Sequence, residues 1–349
     1  EVSTLKRNLE PTLDLVEEIL FEPRWDTNEF ERIKRETIEY IKRRAAVPSS
    51  IASNVFNKLN YGDHILGNST LGTVASTESI VIEDVKSFVN SYFAPHLATI
   101  SIVGDISRSD AIKAFKGIVS RWEEKEVTFP KYEIPDPNKN AKVYFVDVPN
   151  AKQSEIRAGY LSIPRDHPDF FPATMINMNL GAHPGSNFET ILRGEKGFTY
   201  AARSYFTGSR VSGMYFVTTG VRSNSTEEAL LTIKDILLDY RMTISKEDLD
   251  FSKNMELKSN ARKFETLGAL RGMISNIATY DLPFDYIKDQ EDVVRNMTVE
   301  SHNALTKKYI RPDEMIYLVV GDAATQLEGM KSLGFGDPIL LDTDGNTVE

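Results

Sequence analysis

Two stretches of this sequence repeat each other: YFAPHLATISIVGD at residues 92–105 and YIRPDEMIYLVVGD at residues 309–322. Each begins with Tyr, has Pro three residues later and ends in Val-Gly-Asp, and the offset between the two is 217 residues throughout. A short apolar run that ends in Gly-Asp is typical of a buried strand. The sequence therefore predicts a duplicated unit with one buried strand per copy, LATISIVGD in the first and MIYLVVGD in the second.

Helical segments keep the same offset. Apolar residues recur every three or four positions between Leu9 and Leu20, and a second helix follows Pro23, with Asp26 or Thr27 as its cap. The aligned pairs are Leu13 with Leu230, Val16 with Ile233, Ile19 with Ile236, Leu20 with Leu237, and the helix at 85–88 with the helix at 302–305. Agreement at a single offset indicates an ancient duplication.

The second copy contains elements that the first lacks. Alternating or β-branched runs predict strands at 142–149, 154–164, 199–208 (TYAARSYFTG) and 213–221, and helices are predicted at 168–180 and Thr226–Tyr240. The polar, Pro-rich stretch EEKEVTFPKYEIPDPNKN predicts a linker. We therefore expect the C-terminal part of a first module at 1–125, a linker at 126–140 and a complete second module at 141–349. Residues 141–217 have no counterpart in the first copy, so we expect that copy to be a fragment or a processed product.

Composition excludes several classes of function. The chain has 349 residues, with 41 Lys and Arg against 51 Asp and Glu, a net charge of −10 that argues against nucleic acid as a partner. It has no cysteine, which excludes disulfides and thiol nucleophiles, and no apolar run long enough to span a membrane. The histidines lack metal-ligand spacing and are interpreted as structural; they are His64, His96, His167, His183 and His302.

Three segments together resemble the pitrilysin/insulinase family of zinc metallopeptidases. They are LDLVEEILFEPRWDTNEFERIKRETIEYIK at 13–42, the repeated segment that ends in Val-Gly-Asp, and ILRGEKGFTYAARS at 191–204. The resemblance covers nearly the whole chain. It implies an α+β fold of tandem duplicated modules, each a mainly antiparallel sheet covered by helices, with the first module incomplete.

The resemblance also implies where zinc ligands should be. The family uses H-x-x-E-H, with two His ligands and a Glu as general base, and a third ligand, Glu, farther along the chain. This sequence contains no H-x-x-E-H, and the corresponding segment of the second copy, NMNLGAH at 177–183, has one His and no Glu. The third ligand falls on Tyr40 and its accompanying Glu on Ile33; Glu36 and Glu29, one turn away, form an alternative pair. We expect no catalytic residue and no metal ligand in this chain, with zinc held by a catalytic partner or an upstream half.

A substrate-binding element remains in the segment 191–204. Arg193 and Tyr200 resemble an Arg and a Tyr that, in non-catalytic partners of the family, are thought to grip the substrate backbone or a carboxylate. A guanidinium can bind a carboxylate through two hydrogen bonds, and Gly197 would let the chain turn so that both side chains face one cleft. The alternative is a surface Arg and a packed strand Tyr. The strand TYAARSYF could also offer its edge to an extended peptide.

Three functions are compatible with these residues. The first is a non-catalytic half or subunit of a pitrilysin-like zinc peptidase, which would form part of a peptide-binding chamber. Its partners would be peptide or unfolded protein and a catalytic half or subunit, or a homo-oligomer. The second is a scaffold or protein-interaction subunit without peptidase work, and the third is a fragment of an active peptidase that uses Glu36. Similarity to bacterial family members implies a periplasmic location.

Overall fold

The computed structural model describes residues 1–348 and contains one mixed sheet. The strands among these residues are β1 (Lys142–Asp147), β2 (Gln153–Ser162), β3 (Thr199–Gly208), β4 (Gly213–Arg222), β5 (Ile316–Gly321) and β6 (Ile339–Leu341). The α-helices are α1 (Leu9–Phe21), α2 (Thr27–Arg44), α3 (Pro48–Tyr61), α4 (Val74–Ser79), α5 (Ile82–Tyr92), α6 (Arg108–Ala114), α7 (Lys116–Arg121), α8 (Phe170–Ile176), α9 (Thr226–Tyr240), α10 (Lys246–Ser259), α11 (Leu267–Tyr280), α12 (Tyr286–Asn296), α13 (Val299–Tyr309) and α14 (Ala323–Gln326). Two π-helical segments, Met178–Ala182 and Glu189–Glu195, lie between α8 and β3.

The strand order is β3-β4-β2-β5-β1-β6. Strand β2 is antiparallel to both of its neighbours, β4 and β5, and β3 is antiparallel to β4, whereas β1 is parallel to β5 and β6. The predicted α+β class, with a mainly antiparallel sheet covered by helices, is confirmed for this sheet. Each of the five strands predicted between 142 and 322 corresponds to one of β1 to β5.

One face of the sheet is covered by α8, α9, α13 and the two π-helical segments, and this layer contains the largest hydrophobic cluster. Tyr160, Tyr215 and Tyr317 are fully buried on it. Buried hydroxyl groups are costly unless they are hydrogen-bonded. Two of these three hydroxyl groups are hydrogen-bonded: the Tyr160 hydroxyl donates to the carbonyl of Tyr309, and the Tyr317 hydroxyl donates to the carbonyl of Pro312 at 3.0 Å. These bonds attach the strands to the turn that follows α13.

The opposite face of the sheet is covered in part by α3. Residues of this helix pack on apolar side chains of β2, β4 and β5, with Val55 and Phe56 almost fully buried. None of the sequence patterns described above predicts this packing, because α3 precedes the predicted linker while its partners follow it. The helix has Pro48 at its first turn, where a missing backbone N–H costs nothing.

The chain divides into two compact units that are each discontinuous in sequence. The first unit comprises Glu1–Tyr40, Thr73–Lys131 and Asn260–Phe284, and the second comprises the remaining described residues, including the whole sheet. These units are defined by contacts within the folded chain and say nothing about the internal duplication. The module boundaries at 125 and 141 therefore remain a prediction about the duplication.

The strand predicted over LATISIVGD does not form, and this prediction was wrong. The segment is irregular, with side chains half exposed at Ile100 (50%) and Ile102 (38%), whereas Tyr317 and Val319 at the same positions of the second copy are fully buried. Strand β5 is held by hydrogen bonds to β1 and β2 on either side. In the part of the chain that the structure describes, no strand pairs with LATISIVGD. Without paired neighbours, the backbone groups of an extended segment stay unpaired, which does not stabilise a strand.

Strands β2 and β4 approach each other closely at Gly159, so a substitution at this residue tests the β2–β4 register. A Cβ at this position would lie 2.1 Å from the carbonyl oxygen of Tyr215 and 2.7 Å from the Cα of Phe216, and these backbone atoms cannot rotate away. We expect Gly159→Ala to lower the free energy of unfolding by about 3 kcal/mol, measured by urea denaturation. Gly194→Ala is the control, because its Cβ would meet nothing within 4 Å. Equal midpoints for the two variants would contradict the β2–β4 register.

Candidate functional site

The segment between the second π-helix and β3 reverses the chain over a short distance. The amide of Phe198 donates to the carbonyl of Leu192 at 2.8 Å, and the buried Phe198 ring anchors the turn in the core. Gly197 has φ +64° with open space where a Cβ would stand, a backbone conformation that side-chain-bearing residues rarely adopt. The turn therefore depends on glycine, as the sequence suggested, and it places Arg193 before the reversal and Tyr200 after it.

A cleft of about 400 Å³ opens beside this turn. Its lining residues are Gln153, Arg193, Gly197, Phe198, Thr199, Tyr200, Gly220 and Arg222. The structure thus brings Arg193, Gly197 and Tyr200, the three predicted substrate-binding residues, to one surface. The Tyr200 side chain is 90% exposed, so it packs against little of the protein and is accessible to a ligand.

Arg193 is oriented by Glu189, which precedes it by one turn. Its Nη1 donates to Glu189 Oε1 at 2.6 Å, and Glu189 also accepts a hydrogen bond from Arg203 of β3. The Arg203 and Arg193 guanidinium groups hold the pKa of the Glu189 carboxyl below its ordinary value. Arg193 nevertheless keeps 54% of its side chain exposed. The Glu189 carboxylate therefore orients both guanidinium groups. The guanidinium group of Arg193 still has donors that face the cleft.

Strand and turn hydrogen bonds fix the start of β3 relative to β4. The Thr199 hydroxyl donates to the Gly220 carbonyl at 2.7 Å, and the Thr219 hydroxyl donates to the Ala201 carbonyl at 2.9 Å. The register shifts between Thr199 and Ala202, which is a bulge in β3. These hydrogen bonds hold the backbone on either side of Tyr200, at Thr199 and Ala201.

Among residues 1–348, β3 pairs with β4 alone and lies at the edge of the sheet. The Ser204 carbonyl of β3 accepts a hydrogen bond from Asn177 Nδ2 at 2.7 Å, the Ala202 carbonyl accepts one from Arg203 Nη1 at 3.2 Å, and Ala202 and Ser204 are fully buried. The outer side of β3 is therefore covered at these residues, which does not support the hypothesis that TYAARSYF offers its edge to an extended peptide. The cleft lies at the end where β3 begins.

Arg222, Gln153 and Gly220 also line the cleft, and sequence reasoning missed all three. Arg222 ends β4, Gln153 begins β2, and the two residues are opposite each other in the antiparallel register. Arg222 Nη2 donates to the carbonyl of Gly197 at 3.1 Å. The sequence predicts both β2 and β4. Only the strand order, however, shows that the start of β2 and the end of β4 meet beside Tyr200.

The residues at the positions implied for zinc do not form a zinc site. In the second copy, segment 177–183 contains the first π-helix, and His183, which follows that helix, is buried with Nδ1 2.6 Å from the carbonyl of Pro184. Tyr40 and Ile33 in α2 carry no carboxylate. Within the described part of the chain, no three His, Asp or Glu side chains come together in a group that could hold a metal ion.

The alternative carboxylates Glu29 and Glu36 are already engaged. Both pair with Arg32 on α2, and the Glu36 contact is 2.6 Å. The hydrogen bond from Arg32 lowers the pKa of Glu29. Because both carboxylates bind one guanidinium on a largely exposed helix surface, their arrangement is that of a surface ion-pair network. It provides no geometry for a metal ligand.

His302 is a buried titratable group away from the cleft. Burial lowers its pKa to about 4, so the imidazole is neutral at ordinary pH. Its ring lies 3.5 Å from the Tyr240 hydroxyl and 3.3 Å from the Thr306 hydroxyl. These contacts fit the structural role expected from the sequence.

Among the helices of residues 1–348, none is both long enough and apolar enough to cross a membrane.

Comparison with known proteins places these features in a family. A family model described as the peptidase M16 inactive domain matches residues 79–256, about half of the chain. The zinc protease YmxG of Bacillus subtilis, named as uncharacterized, is 24% identical over 280 residues, which is 77% of this chain and 66% of that protein. The chain thus spans just under two thirds of that relative. The non-peptidase homolog YmxG of Helicobacter pylori is 20% identical over 323 residues, 91% of this chain and 73% of that protein.

Structural comparison agrees with the sequence comparison. The crystal structure of a peptidase M16 inactive domain from Pseudomonas fluorescens superposes with a TM-score of 0.83 at 25% identity, over 90% of this chain and 75% of that one. The resemblance to pitrilysin-type peptidases is therefore confirmed, and this chain belongs to the peptidase M16 inactive-domain family.

Proposed function

We propose that this chain is a non-catalytic half or subunit of a pitrilysin-like zinc metallopeptidase and that it forms one wall of the peptide-binding chamber. The observation that carries the proposal is the cleft in which Arg193, Gly197 and Tyr200 meet at the start of an edge strand. A non-catalytic role is supported by the family and by the name of the Helicobacter relative. Zinc would be held by a catalytic half or subunit, which is the expected partner.

The chemistry of the cleft is binding chemistry. A peptide segment would lie in the cleft at the start of β3, where the Arg193 and Tyr200 side chains are exposed. The Arg193 guanidinium would donate to a peptide carbonyl or carboxylate, oriented by its bond to Glu189. The exposed Tyr200 hydroxyl would add a further hydrogen bond from the other side of the turn.

This arrangement would help catalysis by positioning. A peptide held in the cleft loses freedom before it meets the catalytic groups of the partner, and such positioning can supply a large part of a rate enhancement. Peptide or unfolded protein is therefore the proposed ligand, and periplasmic residence remains a prediction.

The Arg193 and Tyr200 side chains should contribute to turnover. With the catalytic partner co-expressed, we expect Arg193→Ala to lower kcat/KM for peptide by about tenfold and Tyr200→Phe by about threefold, the size of one charged and one neutral hydrogen bond. Tyr205→Phe is the matched control, because Tyr205 is 41% exposed on the same strand but does not line the cleft. Unchanged turnover in both variants would exclude the proposed role and favour a scaffold that does not contact peptide.

Glu189 should act as a positioning residue. We expect Glu189→Gln to weaken peptide binding roughly three- to tenfold, because Arg193 loses its charged orienting partner while the cleft keeps every ligand-contacting group. Binding is measured by fluorescence anisotropy. Glu228→Gln is the control, because Glu228 pairs with Lys196 on the exposed surface. Equal affinities for wild type and Glu189→Gln would show that Arg193 does not depend on Glu189.

The same variant should change the pH dependence of stability. The pKa of Glu189 is lower in the folded protein than in the unfolded chain, where Glu titrates near about 4.3. Its ionised form therefore stabilises the fold fully above that pH, and the contribution disappears as pH falls through the lower folded value. As the pH is lowered below about 5, the urea midpoint of the Glu189→Gln variant should therefore fall less steeply than the urea midpoint of the wild type. Parallel profiles would contradict the ion-pair assignment.

A further inference from the structure

Arg157, in the middle of strand β2, carries a charge that the fold does not use. Its side chain is partly buried, its Nε is enclosed without an acceptor, and it forms no hydrogen bond or ion pair with any of residues 1–348. Arg241 and Arg311 also have an enclosed Nε, but each of them pairs with a carboxylate. Burial lowers the pKa of the Arg157 guanidinium, because its charged form is partly removed from water. A desolvated charge without a partner costs folding free energy, so a role in stability does not explain Arg157.

An aromatic ring holds the Arg157 guanidinium in place. Its Cζ lies 5.4 Å from the centroid of the Phe216 ring on β4, which is a cation–π distance. Phe216 lies in turn against Phe56 of α3, with the two ring centroids 6.2 Å apart. This contact uses none of the N–H groups of the guanidinium. Nη1 and Nη2 of Arg157 are not among the enclosed atoms, so they remain available to an acceptor from outside the protein.

Arg157 lies on the same face of the sheet as the cleft. Side chains alternate along a strand, so Gln153, Glu155 and Arg157 share one face of β2. Gln153 lines the cleft, and Glu155 Oε1 lies 2.8 Å from where a Cβ would stand on Gly220, which also lines it. Arg157 is four residues beyond Gln153, about 13 Å along the strand. One surface therefore continues from the cleft to Arg157.

The groups around Arg157 favour an anionic ligand. Thr218 of β4 is opposite Arg157 in the β2–β4 register and is partly exposed, and its hydroxyl has no hydrogen-bond partner among the described residues. On the other side of β2, the residue opposite Arg157 is the apolar Leu318 of β5. Glu155 forms no ion pair with Arg157 within the described chain, and burial raises the pKa of its carboxyl, which weakens the charge that it sets against an anion. An incoming carboxylate would therefore meet one charged donor and one neutral donor.

We propose that Arg157 and Thr218 form a subsite that binds the carboxylate of an Asp or Glu side chain in a peptide whose neighbouring residues occupy the cleft. The planar guanidinium would donate to both carboxylate oxygens, and the Thr218 hydroxyl would add a third hydrogen bond. The inference rests on the proposed function, because it assumes a peptide in the cleft. It makes an acidic residue a determinant of which peptides this chain prefers.

Two probes that differ in one side chain test the subsite on the full chain. Each is a peptide of about eleven Val and Ser residues with either Glu or Gln at its centre, amidated at its carboxyl end and labelled at its amino end with an uncharged dye. About five residues on each side of the centre span about 16 Å, enough to reach the cleft in either chain direction. Anisotropy titrations should show the Glu probe binding about tenfold more tightly, the effect of one charged hydrogen-bonded contact. Because the chain has a net charge of −10, general electrostatics would favour the Gln probe, so a preference for Glu identifies a local site.

Variants assign the preference for Glu to Arg157. Arg157→Met should abolish it, because methionine keeps an apolar stem beside Phe216 and lacks the charge. Arg157→Lys should retain part of it, since a point charge replaces a planar donor. Glu155→Gln should enlarge it, because a negative charge on the same face of β2 is removed. Lys307→Met is the control: it removes one positive charge from an exposed position on α13 and should leave the preference unchanged.

The stability of Arg157→Met shows whether the fold needs the guanidinium. Its midpoint of urea denaturation should equal or exceed the wild-type midpoint, because the substitution removes a partly desolvated charge without a partner. A clear decrease in the midpoint would overturn the proposal, since the guanidinium would then be a structural group.

The binding outcomes separate this subsite from the proposed function. Equal affinities of the Glu and Gln probes, with binding still weakened by Arg193→Ala, would overturn the subsite and leave the peptide-binding wall standing. Absence of binding by either probe would overturn both. A preference for Glu that survives Arg157→Met would exclude Arg157 as its cause and overturn the subsite.

Discussion

The antiparallel pairing of β4 with both β2 and β3 is the constraint on which the site depends. It makes β3 an edge strand, and it brings the end of β4 and the start of β2 together beside the turn at Gly197. The glycine turn then places Arg193 and Tyr200 on the same cleft. A shift of one residue in the β2–β4 register would move Arg222 and Gln153 to the other face and separate them from Tyr200.

The sequence predicts the strands of the sheet well because their hydrophobic patterns are strong. The second of the two repeated stretches, at residues 309–322, contains β5 as predicted. The same pattern failed at LATISIVGD, because a strand needs paired neighbours as well as apolar residues. The packing of α3 was not predictable, since its partners are distant in sequence. Arg193, Gly197 and Tyr200 were found by resemblance, whereas Arg222 required the strand order.

The chemistry of this chain is consistent with recognition of a ligand. The groups at the cleft are hydrogen-bond donors fixed by neighbours: Arg193 by Glu189, and Arg222 by the Gly197 carbonyl. The positions at which the family resemblance implies zinc ligands carry Tyr40 and Ile33, whose side chains cannot replace a carboxylate. Membership of the M16 inactive-domain family agrees with the proposal that this chain is non-catalytic.

Hydrogen exchange of the backbone amides at the start of β3 is the most direct test of the proposed peptide-binding wall. A peptide bound in the cleft shields the turn and the first residues of β3, so added peptide should slow exchange at residues 197–201. Exchange at β6, the opposite edge of the sheet, should not change. We expect slower exchange confined to this turn and the start of β3. Unchanged exchange there with peptide bound, or protection at β6 in its place, would show that the cleft does not bind peptide.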